Sequence, residues 1–326
     1  MAYQQVKTCR FYCNVLEWGA LNGALEIDDL FRTLPVNPQF TGSEFDFNSI
    51  AFNNQSFVAV LGHNLTTIQT GFAPIVDGSQ AETYSDIVNS GAIGQVPSYD
   101  GFSIIEFDAT GSSQVGFKIT GSASGVQIGS VLIGTYWDAP HAPDLNLSLS
   151  YDYSGVKEIT TRGGASLSNS FYSKSADWGT LGAWELHKPF TDDDLETEED
   201  ESVSIQMANQ KLSRSGRRVW DLSFSYLSQE DTFPKYNQLT TLETGEEATN
   251  PYTGETANSM VNILPSSDDF YTQVIHKTQG QLPFIFQPDS TDNTNFAIAK
   301  FDQNSFTLRQ TAPNLYSVKC RIKEVW

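Results

Sequence analysis

The sequence predicts an all-β or mostly β protein that consists of two β-sandwich or jelly-roll domains. Charged residues make up only 18% of the 326 positions, while Gly and aromatic residues are abundant, a balance that favours strands and turns over long helices. Apolar runs of strand length also recur between segments rich in Gly, Asn, Asp and Pro, which form turns. A chain of this length more often forms two domains than one.

The chain is strongly acidic, with 39 Asp and Glu against 19 Lys and Arg and a formal net charge of -20. This charge repels phosphate backbones and anionic lipid headgroups, so nucleic acid and membrane surfaces are not expected partners. No apolar stretch approaches the roughly 20 residues that a membrane-spanning helix needs. The N-terminus lacks the basic region and apolar core of a secretory signal. We therefore expect the chain to fold in a cytoplasm.

Residues 1–44 are predicted to form an N-terminal extension with the first strand, and residues 45–160 a jelly-roll domain. The strand-sized runs of this region include FVAVL, FSIIEF, VGFKIT, VLIGTYW and LNLSLSYDY. In FVAVL, residues 57–61, alternate side chains are expected to face opposite sides of a buried strand. The Gly- and Ser-rich segment 161–170 has little to bury and predicts the junction with the next domain.

Residues 161–326 are predicted to form a second β-sandwich domain. Its clearest strand, VWDLSFSYL, places four aromatic or aliphatic side chains on one face at the period of a strand. These are Trp220, Leu222, Phe224 and Tyr226. One short helix is predicted at about 267–277, where Asp residues lie near its start and Gly280 can end it. Two polar regions, 188–218 and 229–264, predict long loops, and the first contains the acidic tract TDDDLETEEDES.

No catalytic motif is recognisable in the sequence. There is no GxSxG elbow, no P-loop lysine and no dinucleotide-binding motif, and the acidic tract lacks the order of ligands and the Gly of a calcium loop. His63 follows the run FVAVL, where bonding to groups at the end of a strand is a simpler interpretation than catalysis. An odd number of cysteines predicts free thiols rather than a disulfide framework. We predict a protein that is not an enzyme and has no cofactor and no metal site.

The stretch TYWDAPHAPDL, 135–145, is a candidate glycan-binding site. Aromatic faces stack on sugar rings, while Asp and His side chains bind hydroxyl groups. The residues with these properties are Tyr136, Trp137, Asp138 and His141. The alternative is that Trp137 closes one end of a sandwich and that the prolines stiffen the connection, since aromatic residues more often pack than bind.

The order of segments in the C-terminal half resembles a class of tailed-bacteriophage virion proteins. The segments are GRRVWDLSFSYLS, a helix, LPFIFQPD, FAIAKF and a long terminal strand. The resemblance covers residues 160–326 and implies a ring-forming β-sandwich of the distal-tail or baseplate type. In the N-terminal half, FVAVLGHNL and VLIGTYW are similar to discoidin-like, galactose-binding-type jelly rolls attached to phage tail proteins.

The resemblance implies a structural protein of the virion, located at the tail tip and synthesised in the cytoplasm of a host bacterium. Its copies are expected to form a homo-oligomeric ring, six-fold in the family, that links the tail tube to the hub and contacts other tail proteins such as fibres. The alternative function is a carbohydrate-binding or host-adhesion module that binds a host-surface glycan. An envelope-degrading enzyme ranks below both.

The last strand, LYSVKCRIKEVW, is predicted to be the assembly edge. It ends in hydrophobic residues, and an unpaired strand in a monomer is commonly satisfied by a neighbouring subunit. The residues assigned to this edge are Tyr316, Val318, Ile322, Val325 and Trp326. Cys320 shares the inward face of the same strand, where free cysteines are usually buried.

Overall fold

The computed structural model describes residues 6–23, 26–33, 44–48, 55–61, 63, 72–77, 79–80, 102–110, 114–119, 125–126, 128–145, 148–152, 158–168, 217–232, 268–292 and 296–325. Strands dominate these ranges, and the helices are short. The predicted all-β class is therefore confirmed.

Sixteen strands and four short helical segments follow one another in these ranges. The strands are β1 (Arg10–Asn14), β2 (Glu44–Asn48), β3 (Ser56–Leu61), β4 (Phe72–Val76), β5 (Ser79–Gln80), β6 (Phe102–Phe107), β7 (Gln114–Ile119), β8 (Ser130–Asp138), β9 (Ser148–Asp152), β10 (Glu158–Thr160), β11 (Ser166–Ser168), β12 (Arg217–Ser228), β13 (Phe284–Gln287), β14 (Ala297–Phe301), β15 (Leu308–Ala312) and β16 (Leu315–Glu324). The helical segments are α1 (Val15–Leu21), a 3-10 turn (Asp29–Phe31), α2 (Gln229–Thr232) and a π-helix (Tyr271–His276).

Ten strands form one large antiparallel sheet. Its order is β6-β3-β8-β1-β13-β14-β16-β12-β9, and β15 also pairs with β16. A second sheet has the order β2-β7-β4-β5, and β10 pairs with β11 in a separate hairpin. Strands that lie far apart along the chain are thus paired side by side in the sheet.

The alternation predicted for FVAVL is confirmed. Val58 and Val60 lie in a hydrophobic cluster with Phe72 and Phe117 of the four-stranded sheet, so two sheets pack face to face here. The other side chains of β3, Phe57, Ala59 and Leu61, lie in a different cluster that includes Tyr12 and Ile285. Both faces of β3 are therefore buried, which explains its unbroken apolar sequence.

The C-terminal strands bury their inward face under the π-helix. Phe11 of β1 contacts Phe270, Phe284 and Phe286, with ring centroids 5.2 to 5.9 Å apart. Val274 of the π-helix belongs to the same cluster and is fully buried. Burying rings of this size supplies much of the hydrophobic stabilisation of a core.

The large sheet crosses the predicted domain boundary near residue 161. Strand β1 of the N-terminal extension pairs with β8 on one side and with β13 on the other, and β9 pairs with β12. These strands are therefore not confined to two separate sandwiches. Residues 161–168 of the predicted junction supply the turn and second strand of the β10–β11 hairpin, where Gly164 has a φ of 85°.

Strand β12 contains a β-bulge that the sequence pattern did not predict. Trp220, Leu222 and Phe224 are buried as expected, but Tyr226 is 73% exposed and Leu227 is buried instead. The pairing with β16 shifts register between Phe224 and Leu227, and Tyr226 has a φ of 64°. The extra residue reverses the facing of the side chains that follow it, so the predicted placement of Tyr226 was wrong.

The helix predicted at about 267–277 is present, with helical residues from 270 to 278 and π geometry in its centre. Gly280 follows with a φ of 66°, which suits the residue after a helix end. Helix α1 was not predicted. Its first turn is capped by the side chain of Asn14, which accepts a hydrogen bond from the backbone N–H of Glu17.

Most of the two predicted long loops lies outside the described residues. The described parts of these regions are regular, since 217–218 begin β12 and 229–232 form α2. The acidic tract 191–202 also lies outside the described residues.

Candidate functional site

The predicted assembly edge is an interior strand. Strand β16 pairs along one side with β12 and along the other side with β14 and β15. Tyr316, Val318 and Ile322 are at most 1% exposed, and Val325 packs against a buried cluster. The assignment of these residues to an exposed edge was therefore wrong, because the strand already has neighbours on both sides. Trp326 lies outside the described residues.

Strand β9 is an end of the large sheet instead. It pairs with β12 alone among the described strands, and residues 148–151 are exposed on both faces. Leu149 lies opposite Trp220, and Tyr151 lies opposite Arg218. Trp220 is buried, whereas Leu149 and Tyr151 are 47% and 49% exposed. The apolar inner face of the sheet thus continues past the core onto an exposed strand.

Ionic contacts fix the position of this exposed strand. Asp152 forms an ion pair with Lys323 of β16. On β12, Arg218 donates from Nη2 and Nε to the two carboxylate oxygens of Glu324, at 3.0 and 3.2 Å. The Arg218 guanidinium also lies 5.1 Å from the centre of the Trp220 ring. Charge-assisted pairs of this kind impose geometry as well as energy, so the Asp152–Lys323 pair favours one register of β9, while the Arg218–Glu324 pair holds β12 against the end of β16.

A group of hydrogen bonds to β12 holds the chain just before β9. The carboxylate of Asp144 accepts hydrogen bonds from the hydroxyls of Ser223 and Ser225, at 3.0 and 2.8 Å. The backbone N–H of Asp144 donates to the carbonyl of Ser223 at 2.8 Å. The next residue, Leu145, is 87% exposed. These hydrogen bonds therefore fix the backbone beside an aliphatic side chain that is exposed to solvent.

The β10–β11 hairpin is a second exposed apolar surface. Ile159 and Leu167 lie directly opposite each other, and both are about half exposed. A two-stranded hairpin is only marginally stable alone in water. Five of the seven exposed large hydrophobic residues in the described ranges fall between positions 145 and 167. This concentration, rather than any single residue, marks the region as a candidate interaction surface.

Trp137 of the predicted glycan group lies in the core. It is 6% exposed, and its ring lies 5.3 Å from that of Phe270 and 6.2 Å from that of Phe11. An indole packed in this way has no open face for a sugar ring. The packing interpretation of this residue fits the structure.

Tyr136 and Asp138 lie on the opposite face of β8, where both contact Arg10. The Arg10 guanidinium lies 4.4 Å from the centre of the Tyr136 ring and donates to both carboxylate oxygens of Asp138. It also pairs with Glu106 of β6, while the Tyr12 hydroxyl donates to Glu106 at 2.8 Å. The group, here called the Arg10 cluster, joins β1, β6 and β8, and its polar side chains bond to one another.

Burial raises the pKa of the two phenols of the Arg10 cluster. It raises the pKa of Tyr136 to about 12, and the Glu106 carboxylate adds to the effect. Burial also raises the pKa of Tyr12 well above its ordinary value. Both phenols therefore stay protonated at neutral pH and act as hydrogen-bond donors.

His141 and His63 occupy different kinds of site. His141 Nδ1 donates to the backbone carbonyl of Ala142 at 2.8 Å, and the ring lies 6.2 Å from Phe224. His63 is 1% exposed, and its Nε2 is 2.8 Å from the hydroxyl of Ser103, which is itself fully buried. The sequence suggested bonds from His63 to the backbone at the strand end. The structure adds a side-chain partner from β6 that sequence reasoning missed.

The buried thiols and a buried amine lie near the sheet centre. Cys9, Cys13 and Cys320 are free and buried, as predicted, and burial raises the pKa of Cys13 and of Cys320 to about 12. Lys277 is 4% exposed, and its amine donates to Thr135 Oγ1 and, at 2.6 Å, to Gln273 Oε1. Thiols held in the protonated form are poor nucleophiles, so the three cysteines are suited to packing rather than to catalysis.

No protein-family model, no curated protein and no solved structure matches this chain. Within the described ranges, none of the helices has the length and apolar character needed to cross a bilayer. The same ranges contain no group of three or more His, Cys, Asp or Glu side chains placed to hold a metal ion.

Proposed function

We propose that this chain is a structural component of a bacteriophage tail tip, of the distal-tail or baseplate type. Copies of the chain close a homo-oligomeric ring, six-fold by the family resemblance, that links the tail tube to the hub. The protein is made in the cytoplasm of the host bacterium and then becomes part of the virion.

The observation that carries the assembly role is the exposed end of the large sheet at β9. Its inner face is continuous with the core, yet Leu149 and Tyr151 remain about half exposed. An exposed edge with apolar side chains is a template for pairing with another chain. The role first assigned to β16 therefore moves to the opposite side of β12.

A ring also requires a second, different surface on each subunit, because only a head-to-tail contact closes a cyclic oligomer of more than two copies. The β10–β11 hairpin offers such a surface through Ile159 and Leu167. Contact of β9 in one subunit with the hairpin of the next would bury both apolar groups. Hydrophobic burial of this kind drives most protein association.

The acidic composition supports the same role. A net charge of -20 disfavours non-specific association of subunits and maintains solubility before assembly. At physiological ionic strength the Debye length is about 8 Å, and added salt shortens it, so salt weakens the repulsion between the acidic surfaces of approaching subunits. We expect assembly to strengthen as salt is raised, because the apolar contacts are not screened.

Size-exclusion chromatography with light scattering tests the proposal. The wild-type protein should form a discrete oligomer at high concentration, and Leu149→Lys should shift the population to monomer. Leu21→Lys is the matched control, since Leu21 of α1 is an exposed leucine that lies outside the region of β9 and the hairpin. A wild-type protein that stays monomeric, alone and with partner tail proteins, would count against the assembly role.

A further inference from the structure

A cavity of about 480 Å³ opens between the end of the π-helix and the connection from β14 to β15. Its size lies within the range of small-molecule sites, about 300 to 1,000 Å³. One wall comes from residues 271–281 and the other from residues 303–306. The nine described residues that line it include no Asp, Glu, Lys or Arg, although the chain as a whole is strongly charged.

The helix wall presents aromatic surface in a fixed position. The rings of Tyr271 and His276 are stacked, with centroids 6.3 Å apart and an interplanar angle of 19°. Trp18 of α1 packs edge-on against His276 at 5.5 Å. The π-helix that carries these rings is a rare geometry, often found at functional sites. Burial lowers the pKa of His276, and the neighbouring Lys277 amine adds to the effect, so the imidazole is neutral at pH 7.

The opposite wall is held in place by Gln303. Its amide nitrogen donates to the carbonyls of Ser305 and Lys319, and its amide oxygen accepts from the backbone N–H of Arg321 at 2.8 Å. Phe306 of this wall packs edge-on against Phe301 at 4.8 Å. Both walls are therefore fixed before any ligand arrives, which reduces the entropy lost on binding.

Several polar groups of the lining remain uncommitted. Among the described residues, no hydrogen bond engages the Tyr271 hydroxyl, the His276 ring nitrogens or the side-chain amides of Gln281 and Asn304. Amide and phenol groups both donate and accept. The cavity thus combines flat apolar rings with donors and acceptors, and it supplies no counter-ion for a charged ligand.

We infer that this cavity binds a neutral saccharide, with the C–H face of the sugar against Tyr271 or Phe306 and its hydroxyls bonded to Gln281, Asn304 and His276. An apolar ligand that covered the amide groups of Gln281 and Asn304 would displace their water without replacing its hydrogen bonds, at a cost in affinity. Anionic ligands would meet the field of an acidic protein. This site is separate from the residues 136–141 considered from the sequence and does not depend on the proposed ring assembly.

Saturation-transfer difference NMR on the full chain tests the inference. The probes are methyl glycosides of glucose, galactose, mannose and N-acetylglucosamine, with glucuronic acid and glucosamine as charged arms. At least one neutral glycoside should bind, and Phe306→Leu, which keeps apolar volume but removes the flat ring, should weaken it about tenfold or more. Tyr226→Ala, an exposed aromatic residue elsewhere, should leave binding unchanged.

A second variant guards against misfolding. Asn304→Ala removes an exposed side chain and should weaken binding several-fold, with thermal unfolding at the wild-type temperature. The inference is overturned by absence of binding for every neutral probe at millimolar concentration. It is equally overturned by tighter binding of glucuronic acid or glucosamine, or by binding that survives both Phe306→Leu and Asn304→Ala.

Discussion

Replacing Lys277 with Met should change how the stability of the protein depends on pH. Burial lowers the pKa of this amine from 10.5 to about 8. Between these values the unfolded chain holds a proton that the folded protein has released, so stability rises with pH across this window. At about 1.4 kcal/mol per pH unit, release of this proton should raise the free energy of unfolding by about 3 kcal/mol between pH 8 and 10.5.

The free energy of unfolding is measured for both proteins with guanidinium chloride, by tryptophan fluorescence under reducing conditions from pH 7 to 10.5. Cysteine and tyrosine titration is common to both proteins, so wild type minus Lys277→Met isolates the amine. This difference should rise by about 3 kcal/mol from pH 8 to 10.5. Lys300→Met removes an exposed ammonium group and controls for net charge. A difference that stays constant with pH would refute the reasoning.

Substitutions at four further positions probe the packing, by chemical denaturation and thermal unfolding at Trp137, His63 and Tyr226 and by soluble expression at Gly134. Trp137→Ala should cost about 3 to 5 kcal/mol, as expected for a ring deleted from a core; a loss below 1 kcal/mol would contradict its buried position. His63→Ala should cost about 1 to 3 kcal/mol, because the Ser103 hydroxyl loses a buried partner; an unchanged unfolding midpoint would argue against that bond. Gly134→Ala should abolish soluble expression, since its Cβ would lie 1.9 Å from a backbone oxygen of β1. Tyr226→Gly should be at least as stable as wild type and Tyr226→Val about 1 kcal/mol less stable; the reverse order would exclude a left-handed residue there.

The facing of side chains along strands was predictable from the sequence. The buried series Tyr316, Val318, Cys320 and Ile322 alternates with more exposed residues, as the period of a strand requires. The same pattern could not show that β16 is interior, because alternation reports which face is buried and not how many strands lie beside it. Pairing partners are set by long-range contacts, and β12 lies about a hundred residues before β16.

The environments of residues that depend on one inserted residue or on distant partners could not be predicted from the sequence either. Tyr226 fits the alternation of its strand until the bulge changes the register. Tyr136 and Asp138 suggested a glycan site, but Arg10, 128 residues before Asp138, occupies both. The cavity beside the π-helix likewise joins two segments that carry no shared motif.

Electron microscopy of the purified protein at high concentration tests the central claim of assembly through β9 most directly. The proposal predicts a closed ring whose subunit interface contains Leu149 and Tyr151, with no ring formed by Leu149→Lys. A ring whose interface leaves β9 in solvent, or particles that stay monomeric with partner tail proteins present, would contradict it.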